Sequence, residues 1–138
     1  MFESSDLSNT ETDEKLVSLI LAIRPDAKLI YFFGSRAHNE EHKNSDWDIA
    51  VMCSSKLAPL DRFECANALA NELNAEVDWV DLLDASTVLQ MQIIQNGRLL
   101  YDKGAQDTFE NKVFAMYADN QERRTDIMKA FKKELGNG

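Results

Sequence analysis

A stretch of 21 residues, YFFGSRAHNEEHKNSDWDIAV at positions 31–51, limits what this chain can fold into more than any other. A run of strand formers ends at Gly34 and Ser35, ten mostly polar residues follow, and apolar residues return around Asp46 and Asp48. Side chains two positions apart on a strand point to the same face, so these two carboxylates are expected side by side at the start of a second strand. Because neighbouring anions repel unless a cation lies between them, the pattern indicates a cation site at this end of the sheet.

Strand-like and helix-like segments alternate along the whole chain of 138 residues. Strands are predicted where apolar and β-branched residues concentrate, at 28–33, 46–53, 76–83 and 98–102. Helices are predicted where apolar residues recur with helical spacing, at 10–23, 59–73, 84–97 and 107–135. A chain of this length forms one domain, so the alternation predicts an α/β fold with helices packed on a sheet and a long helix at the end.

The helix ends and buried helix faces follow from a few residues. Thr10 with Asp13 resembles a capping box, which leaves residues 1–10 as a loose tail. Asp84 is expected to cap the third helix and Gly97 to end it. The second and third helices are expected to bury eight side chains, namely Phe63, Ala66, Leu69, Ala70, Leu73, Val88, Leu89 and Ile93.

Charge and composition disfavour several classes of protein. The net charge is −9 and the pI is about 4.6, whereas surfaces that bind DNA or RNA are normally basic, so we expect no direct contact with nucleic acid. The N-terminus lacks the basic and apolar regions of a signal peptide, and no apolar run approaches the roughly 18 residues of a membrane span. We therefore expect a cytoplasmic protein without a membrane segment, with Cys53 and Cys65 as buried, reduced thiols.

A third carboxylate is expected beside the first two. In the predicted strand EVDWVDLL, Asp78 lies on the face opposite Trp79, and Asp81 has the other parity. If this strand neighbours the second one, Asp78 joins Asp46 and Asp48; the alternative is that Asp78 and Asp81 are surface charges at a strand end. Three carboxylates suit Mg²⁺ together with substrate phosphates, and that combination fits phosphoryl or nucleotidyl transfer.

The loop after the first strand carries residues suited to binding phosphate. Gly34 allows close approach of the backbone, Ser35 adds a hydroxyl group, and Arg36 adds a cation that neutralises polyphosphate charge. Gly-Ser alone is also the pattern of an ordinary turn, and its spacing from the aspartates is what favours a phosphate site. His38 and His42 are expected as exposed loop residues; the alternative, a zinc pair, is disfavoured by the nearby hard carboxylates.

The spacing Gly-Ser, ten residues, Asp-x-Asp resembles the signature of the DNA polymerase β-like nucleotidyltransferase superfamily. The likeness covers residues 12–102 through FFGSRA, SDWDIAV and EVDWVDLL. The chain as a whole resembles the smallest branch, the minimal nucleotidyltransferases, which are paired with HEPN-domain partners in toxin–antitoxin systems. The resemblance implies a small mixed β-sheet with helices packed on it, ATP as nucleotide donor and Mg²⁺ as cofactor.

Carried over residue by residue, the resemblance assigns roles to the predicted site. It makes Gly34 and Ser35 the contacts to the nucleotide phosphates. It makes Asp46 and Asp48 the Mg²⁺ ligands. Asp78 takes the place of the third carboxylate, as a metal ligand or as the base that deprotonates the acceptor hydroxyl.

Three loop residues extend this pattern or depart from it. Ser45 matches the small polar residue before the first aspartate, which can donate a hydrogen bond to a metal ligand. Related sequences often read GSRARG, whereas this one reads GSRAHN, so His38 replaces a permanently charged Arg and puts one phosphate contact in doubt. Asn39 replaces Gly, and Asn tolerates a left-handed backbone, which keeps the turn possible.

The resemblance also implies an acceptor and a partner. Larger relatives carry an extra domain that holds the acceptor, and this chain has no residues for one, so a partner is expected to bring it. The implied function is that of an antitoxin of a type VII-like pair, which transfers AMP from ATP to a tyrosine of its HEPN ribonuclease toxin. Two alternatives stay open: transfer to a small-molecule acceptor, and an antitoxin that acts by binding alone. The clustered carboxylates disfavour the second, because clustered charge is costly without a metal.

The C-terminal helix, residues 106–135, differs from the rest of the chain in charge. Residues 1–102 hold 18 acidic and 8 basic residues, a net of −10, whereas residues 103–138 hold 6 acidic and 7 basic residues, a net of +1. The first apolar stretch of this helix is expected to pack on the sheet. The second is expected to be either a solvated helix end or a partner-binding stripe, and its residues are Ile127, Phe131 and Leu135.

Overall fold

Four strands and four helices alternate along the chain in the computed structural model, which describes residues 4–34 and 47–136. The strands are β1 (Leu29–Phe33), β2 (Trp47–Met52), β3 (Val77–Asp81) and β4 (Arg98–Asp102). The helices are α1 (Ser4–Ile23), α2 (Pro59–Leu73), α3 (Thr87–Asn96) and α4 (Gln106–Gly136). Each predicted element is therefore present, and apart from the start of α1 the boundaries are close to those expected from the sequence.

The strands form one mixed sheet in the order β3-β2-β1-β4. β1 pairs antiparallel with both β2 and β4, and β2 pairs parallel with β3. The parallel pair needs a crossover, and α2 supplies it between β2 and β3. The α/β prediction with a small mixed sheet is confirmed, and the crossover places β3, with Asp78, directly beside β2.

Each face of the sheet is covered by helices, which explains why β1 is apolar on both faces. Ile30, Phe32 and Trp79 point to the face covered by α1 and α2, in a cluster that includes the buried Leu16, Ile20, Cys53, Cys65 and Leu69. Leu29 and Tyr31 point to the other face, which α3 and α4 cover with the buried Met91, Ile93, Phe109 and Val113. Both cysteines are free and buried, as predicted.

The first helix begins earlier than the sequence suggested. Residues 4–10 are helical, so the prediction of a loose tail over residues 1–10 is wrong for that part, and Thr10 lies inside the helix rather than at its cap. A helix that is already nucleated gains one hydrogen bond for each residue added, so polar residues can extend it without tertiary packing. Asp13 pairs with Arg98 at 2.9 Å instead of closing a capping box.

Three predictions for the second and third helices are wrong in detail. Phe63 is 59% exposed, because the buried stripe of α2 is centred on Cys65 and Leu69 and Phe63 falls at its edge. Ser86, not Asp84, caps α3: its hydroxyl accepts a hydrogen bond from the Leu89 amide. The chain turns once more after β3 before this helix starts, and Val88 in its first turn is consequently exposed.

Gly97 ends α3, as predicted. A glycine is needed there because a side chain would collide with the helix backbone, and not because the backbone is left-handed. Its φ is −86°, outside the left-handed region. A Cβ at this position would lie 2.5 Å from the carbonyl oxygen of Ile93, which belongs to the helix backbone and cannot move aside easily. We expect Gly97→Ala to lower the free energy of unfolding by about 1–3 kcal/mol in urea denaturation. Asn96→Ala, on an exposed neighbour, is the control and should change it little; an equal loss in both would contradict the packing argument.

The proximal part of α4 packs on the sheet, as predicted. Phe109 and Val113 are buried, and the hydroxyl of Tyr31 donates a hydrogen bond of 2.7 Å to Glu110. Burial and the neighbouring Glu110 carboxylate raise the pKa of Tyr31 well above its ordinary value, so this phenol stays protonated and keeps donating. The distal part of α4 leaves the sheet, and Ile127 and Phe131 are exposed. Within residues 4–34 and 47–136, no helix is long and apolar enough to cross a membrane.

Candidate active site

Two of the three predicted carboxylates lie side by side on the sheet. In the parallel pair of β2 and β3, Asp48 is in register with Asp78, and adjacent strands are separated by about 4.8 Å. Both side chains have the parity of Ala50, whose face is the one covered by α3 and α4. Asp48 is half-buried and Asp78 is exposed, so the pair borders solvent at one end of the sheet. The predicted pairing of these two residues is borne out by the register.

Gly34 lies against the Asp48 carboxylate, which occupies the position that a side chain at residue 34 would take. It follows β1, whose last residue Phe33 is the cross-strand neighbour of Asp48, and its φ is +84°. A Cβ on Gly34 would lie 2.0 Å from Oδ2 of Asp48, far inside van der Waals contact. The glycine therefore allows a left-handed turn and leaves room for the Asp48 carboxylate. The sequence did not predict this proximity of Gly34 to Asp48, because it assigned the glycine only to phosphate binding.

Asp81 is buried, which corrects the alternative that it is a surface charge at a strand end. It is only 3% exposed, and its two carboxylate oxygens accept hydrogen bonds from the amides of Leu57 at 2.8 Å and Leu83 at 3.0 Å. These bonds join the segment before α2 to the turn after β3. Its parity with Trp79 in the sequence already indicated an inward position, and its hydrogen bonds hold the far end of β3.

Removing the Asp81 carboxylate should therefore destabilise the fold. We expect Asp81→Ala to lower the free energy of unfolding by about 2–4 kcal/mol, because two amides lose their acceptor. Asp84→Ala is the matched control: its side chain is 62% exposed and pairs only with an exposed Lys56. That change should cost less than about 1 kcal/mol in the same urea titration. An Asp81 variant as stable as the Asp84 variant would show that the two hydrogen bonds contribute little.

Trp47 points away from the carboxylates, as its parity predicted. Its ring is stacked on Phe32, with ring centroids 5.5 Å apart and planes inclined by 7°. The guanidinium of Arg98 lies 5.4 Å from the Phe32 ring centroid. These contacts anchor the start of β2 from the opposite face and so fix the backbone that carries Asp48.

Several predicted site residues lie outside the described residues. Among these are the phosphate-loop residues Ser35 and Arg36, the residues Ser45 and Asp46 before β2, and the loop residues His38, Asn39 and His42. Within the part of the chain that the structure describes, no group of three or more acidic, histidine or cysteine side chains converges on one point. Asp48 and Asp78 therefore form a pair, and the assignment of Asp46 to the same site stays a prediction.

The donor set of this pair suits a hard divalent cation. Two carboxylates that share a face and border solvent offer oxygen ligands, and Mg²⁺ is usually bound by one or two carboxylates together with substrate phosphates. Gly34, which has no side chain, leaves room for the Asp48 carboxylate at the end of β1. The residues present thus fit Mg²⁺ with a polyphosphate.

A cleft at the opposite end of the sheet is a poorer candidate for the active site. It measures about 420 Å³ and lies between α3 and α4, where Lys28, Met52 and Phe109 contribute to its lining. None of its lining residues is acidic, and Met52 lies at the far end of β2 from Asp48. This cleft therefore lacks the carboxylates that a cation site needs, and Asp48 and Asp78 lie at the other end of the sheet.

The sequence matches known proteins over most of its length. The family model "Polymerase beta, Nucleotidyltransferase" matches residues 14–106. A relative from Shewanella oneidensis, named Protein adenylyltransferase MntA, is 38% identical over 117 residues, which cover 84% of this chain and 84% of the relative. The match to the family model contains Gly34 and all three predicted carboxylates.

Solved structures match the fold as well as the sequence. A toxin–antitoxin crystal structure with AMP-PNP matches at a TM-score of 0.77 and 37% identity, covering 85% of this chain and 95% of the matched chain. A complex of a tri-AMPylated Shewanella oneidensis HEPN toxin with an MNT antitoxin matches at a TM-score of 0.71 and 35% identity, covering 85% and 92%. The fold around Asp48 and Asp78 is therefore shared with chains crystallised in toxin–antitoxin assemblies.

Proposed function

This chain belongs to the polymerase beta nucleotidyltransferase family, and we propose that it is an antitoxin that transfers AMP from ATP to a tyrosine of a HEPN ribonuclease toxin. The observation that carries the proposal is the register of Asp48 with Asp78, together with the room that Gly34 leaves for the Asp48 carboxylate. A nucleotidyltransferase needs such carboxylates where a nucleotide triphosphate meets the attacking group. The names of the relatives support AMP as the transferred group and a toxin as the acceptor.

The residues have distinct roles in this reaction. The phenolic oxygen of the acceptor tyrosine attacks the α-phosphorus of ATP, a P–O bond forms, and pyrophosphate leaves. Asp46 and Asp48 would hold Mg²⁺, with Asp78 as the third ligand or as the base, and Mg²⁺ when bound neutralises charge on the phosphates. Gly34 leaves room for the Asp48 carboxylate, and Ser35 and Arg36 contact the phosphates. Asp78 is exposed and stands beside Asp48, so it is available to accept the phenolic proton.

The acceptor is expected to be a macromolecule because the carboxylate pair is open to solvent. Asp78 is exposed, and within residues 4–34 and 47–136 the site is bordered by one sheet and its helices, with no second domain facing it. A protein partner that presents a tyrosine can thus reach the site directly. An AMP group adds a negatively charged phosphate to that tyrosine. If the tyrosine lies near the ribonuclease site, this phosphate repels RNA.

Incubation of the purified cognate toxin with this protein, ATP and Mg²⁺ tests the proposal. We expect mass spectrometry to find AMP on a toxin tyrosine and the ribonuclease activity to fall only when ATP is present. Inhibition of the toxin to the same extent without ATP would contradict enzymatic neutralisation and support action by binding alone. Transfer of AMP to a small molecule, with the toxin left unmodified, would instead support the small-molecule reaction.

A further inference from the structure

The distal half of α4 repeats the apolar pattern with which its proximal half packs on the sheet. Phe109 and Val113 are buried against the sheet, and Ile127 and Phe131 follow them by 18 residues each. Eighteen residues are five turns of about 3.6 residues, so the two pairs lie on the same side of the helix, roughly 27 Å apart along its axis. Yet Ile127 is 67% exposed and Phe131 is 56% exposed.

A polar spacer separates the two apolar parts of this helix. Residues 118–126, ADNQERRTD, contain no large apolar side chain. The spacer is roughly 13 Å long, at about 1.5 Å per residue. Ile127, Met128 and Phe131, which we call the distal stripe, are thus not a continuation of the domain core but a second apolar surface beyond it. Monomeric proteins rarely expose such a cluster, and an exposed apolar cluster usually marks a surface that binds a partner.

The charges around the distal stripe differ from those of the rest of the chain. Residues 119–133 hold five basic and three acidic residues, a net of +2, within a chain whose net charge is −9. The basic residues are Arg123, Arg124, Lys129, Lys132 and Lys133. A surface that combines apolar anchors with flanking cations fits an apolar groove with carboxylates at its rim.

A second copy of this chain is a poor occupant for the distal stripe. Two such helices would bring together only six apolar side chains, on the order of 100 Å² each, which is well below the roughly 1,200 Å² of a stable interface. A groove between several partner helices encloses the same side chains more completely. One of the matched solved structures is a complex of a HEPN toxin with an MNT antitoxin.

We propose that the distal stripe of α4 is the docking element for the HEPN toxin and that it holds the acceptor tyrosine near Asp48 and Asp78 by tethering the toxin. This inference rests on the proposed function for the identity of the partner. The stripe contacts no reacting atom, so its contribution is to raise the local concentration of the acceptor.

A pair of double variants tests the docking element. Ile127→Glu with Phe131→Glu places charges on the stripe, and Leu60→Glu with Phe63→Glu does the same at two side chains of α2 that are 65% and 59% exposed. Calorimetric titration with the cognate toxin should show at least about a 100-fold weaker affinity for the α4 variant and less than about a threefold change for the α2 variant. ATP binding should be the same in both.

Several outcomes would overturn this inference, and they differ from those that would overturn the transferase reaction. Undiminished toxin affinity in the α4 variant would remove the stripe from the interface, as would an equal loss in the α2 variant. Sedimentation that shows a wild-type dimer, a monomeric α4 variant and unchanged toxin binding would assign the stripe to a second copy. Loss of toxin affinity in the α4 variant, with no AMP transfer even by the wild type, would keep the interface and refute the proposed reaction.

Discussion

Asp48→Asn should reduce AMP transfer by at least about a thousandfold, equivalent to about 4 kcal/mol of transition-state stabilisation. Asparagine keeps the shape of the side chain but removes the charge that the cation and the triphosphate require. The fold should survive, because the change removes a negative charge that stands in register with Asp78. We expect the free energy of unfolding to stay within about 1 kcal/mol of the wild type. Asp46→Asn should have the same effect on transfer.

Single-turnover assays with the toxin, together with urea denaturation, check this expectation. The assays are run at saturating toxin and ATP so that weaker binding of either one is not mistaken for a slower transfer step. Asp61→Asn, an exposed carboxylate in the first turn of α2, is the control for loss of a charge and should transfer AMP at the wild-type rate. Wild-type transfer by the Asp48 variant would show that the carboxylate pair is not the catalytic centre.

Gly34→Ala should also nearly abolish transfer, although it adds only one methyl group. The new Cβ would lie 2.0 Å from Oδ2 of Asp48, so the carboxylate must leave its position. We expect a loss of at least about a hundredfold in the rate of AMP transfer, since misplacement by about 1 Å can have that effect. The positive φ of +84° adds strain of about 1–2 kcal/mol to the folded state.

Gly104→Ala separates the two effects of that substitution. Gly104 has a φ of +95°, but no atom lies within 4 Å of the position its Cβ would take. The variant should therefore lose a similar amount of stability through backbone strain and keep its activity. If Gly34→Ala remained as active as Gly104→Ala, the contact with Asp48 would have no role in positioning the carboxylate.

The sequence predicted the arrangement of the elements and the carboxylate pair because both depend on local patterns. Strand parity placed Asp48 and Asp78 on one face, and the helical crossover α2 brought their strands together. The two tryptophans likewise fell on the face opposite the carboxylates, where Trp79 is buried and Trp47 stacks on Phe32. The face of each side chain needed no tertiary information, since a strand has only two faces, whereas the sequence left open whether β3 lies beside β2.

The features that the sequence did not predict depend on tertiary contacts. Asp84 and Ser86 are both good helix caps, and only the extra turn after β3 selects Ser86. Phe63 fits the helical spacing of the apolar stripe, but the side of α2 that packs on the core is centred on Cys65 and Leu69 and leaves Phe63 exposed. The contact of Gly34 with Asp48 joins residues 14 positions apart and becomes visible only once β1 and β2 pair.

The central claim is that the site around Asp48 and Asp78 catalyses nucleotidyl transfer to the toxin. The most direct test is to measure which phosphorus of ATP becomes covalently bound to the toxin. The toxin is incubated with Mg²⁺ and ATP labelled at either the α- or the γ-phosphorus. We predict that the α-label becomes covalently bound to the toxin, that the γ-label leaves with pyrophosphate, and that Asp48→Asn prevents both. Covalent incorporation of the γ-label would indicate phosphoryl transfer instead, and toxin that carries neither label after it has been neutralised would contradict the account.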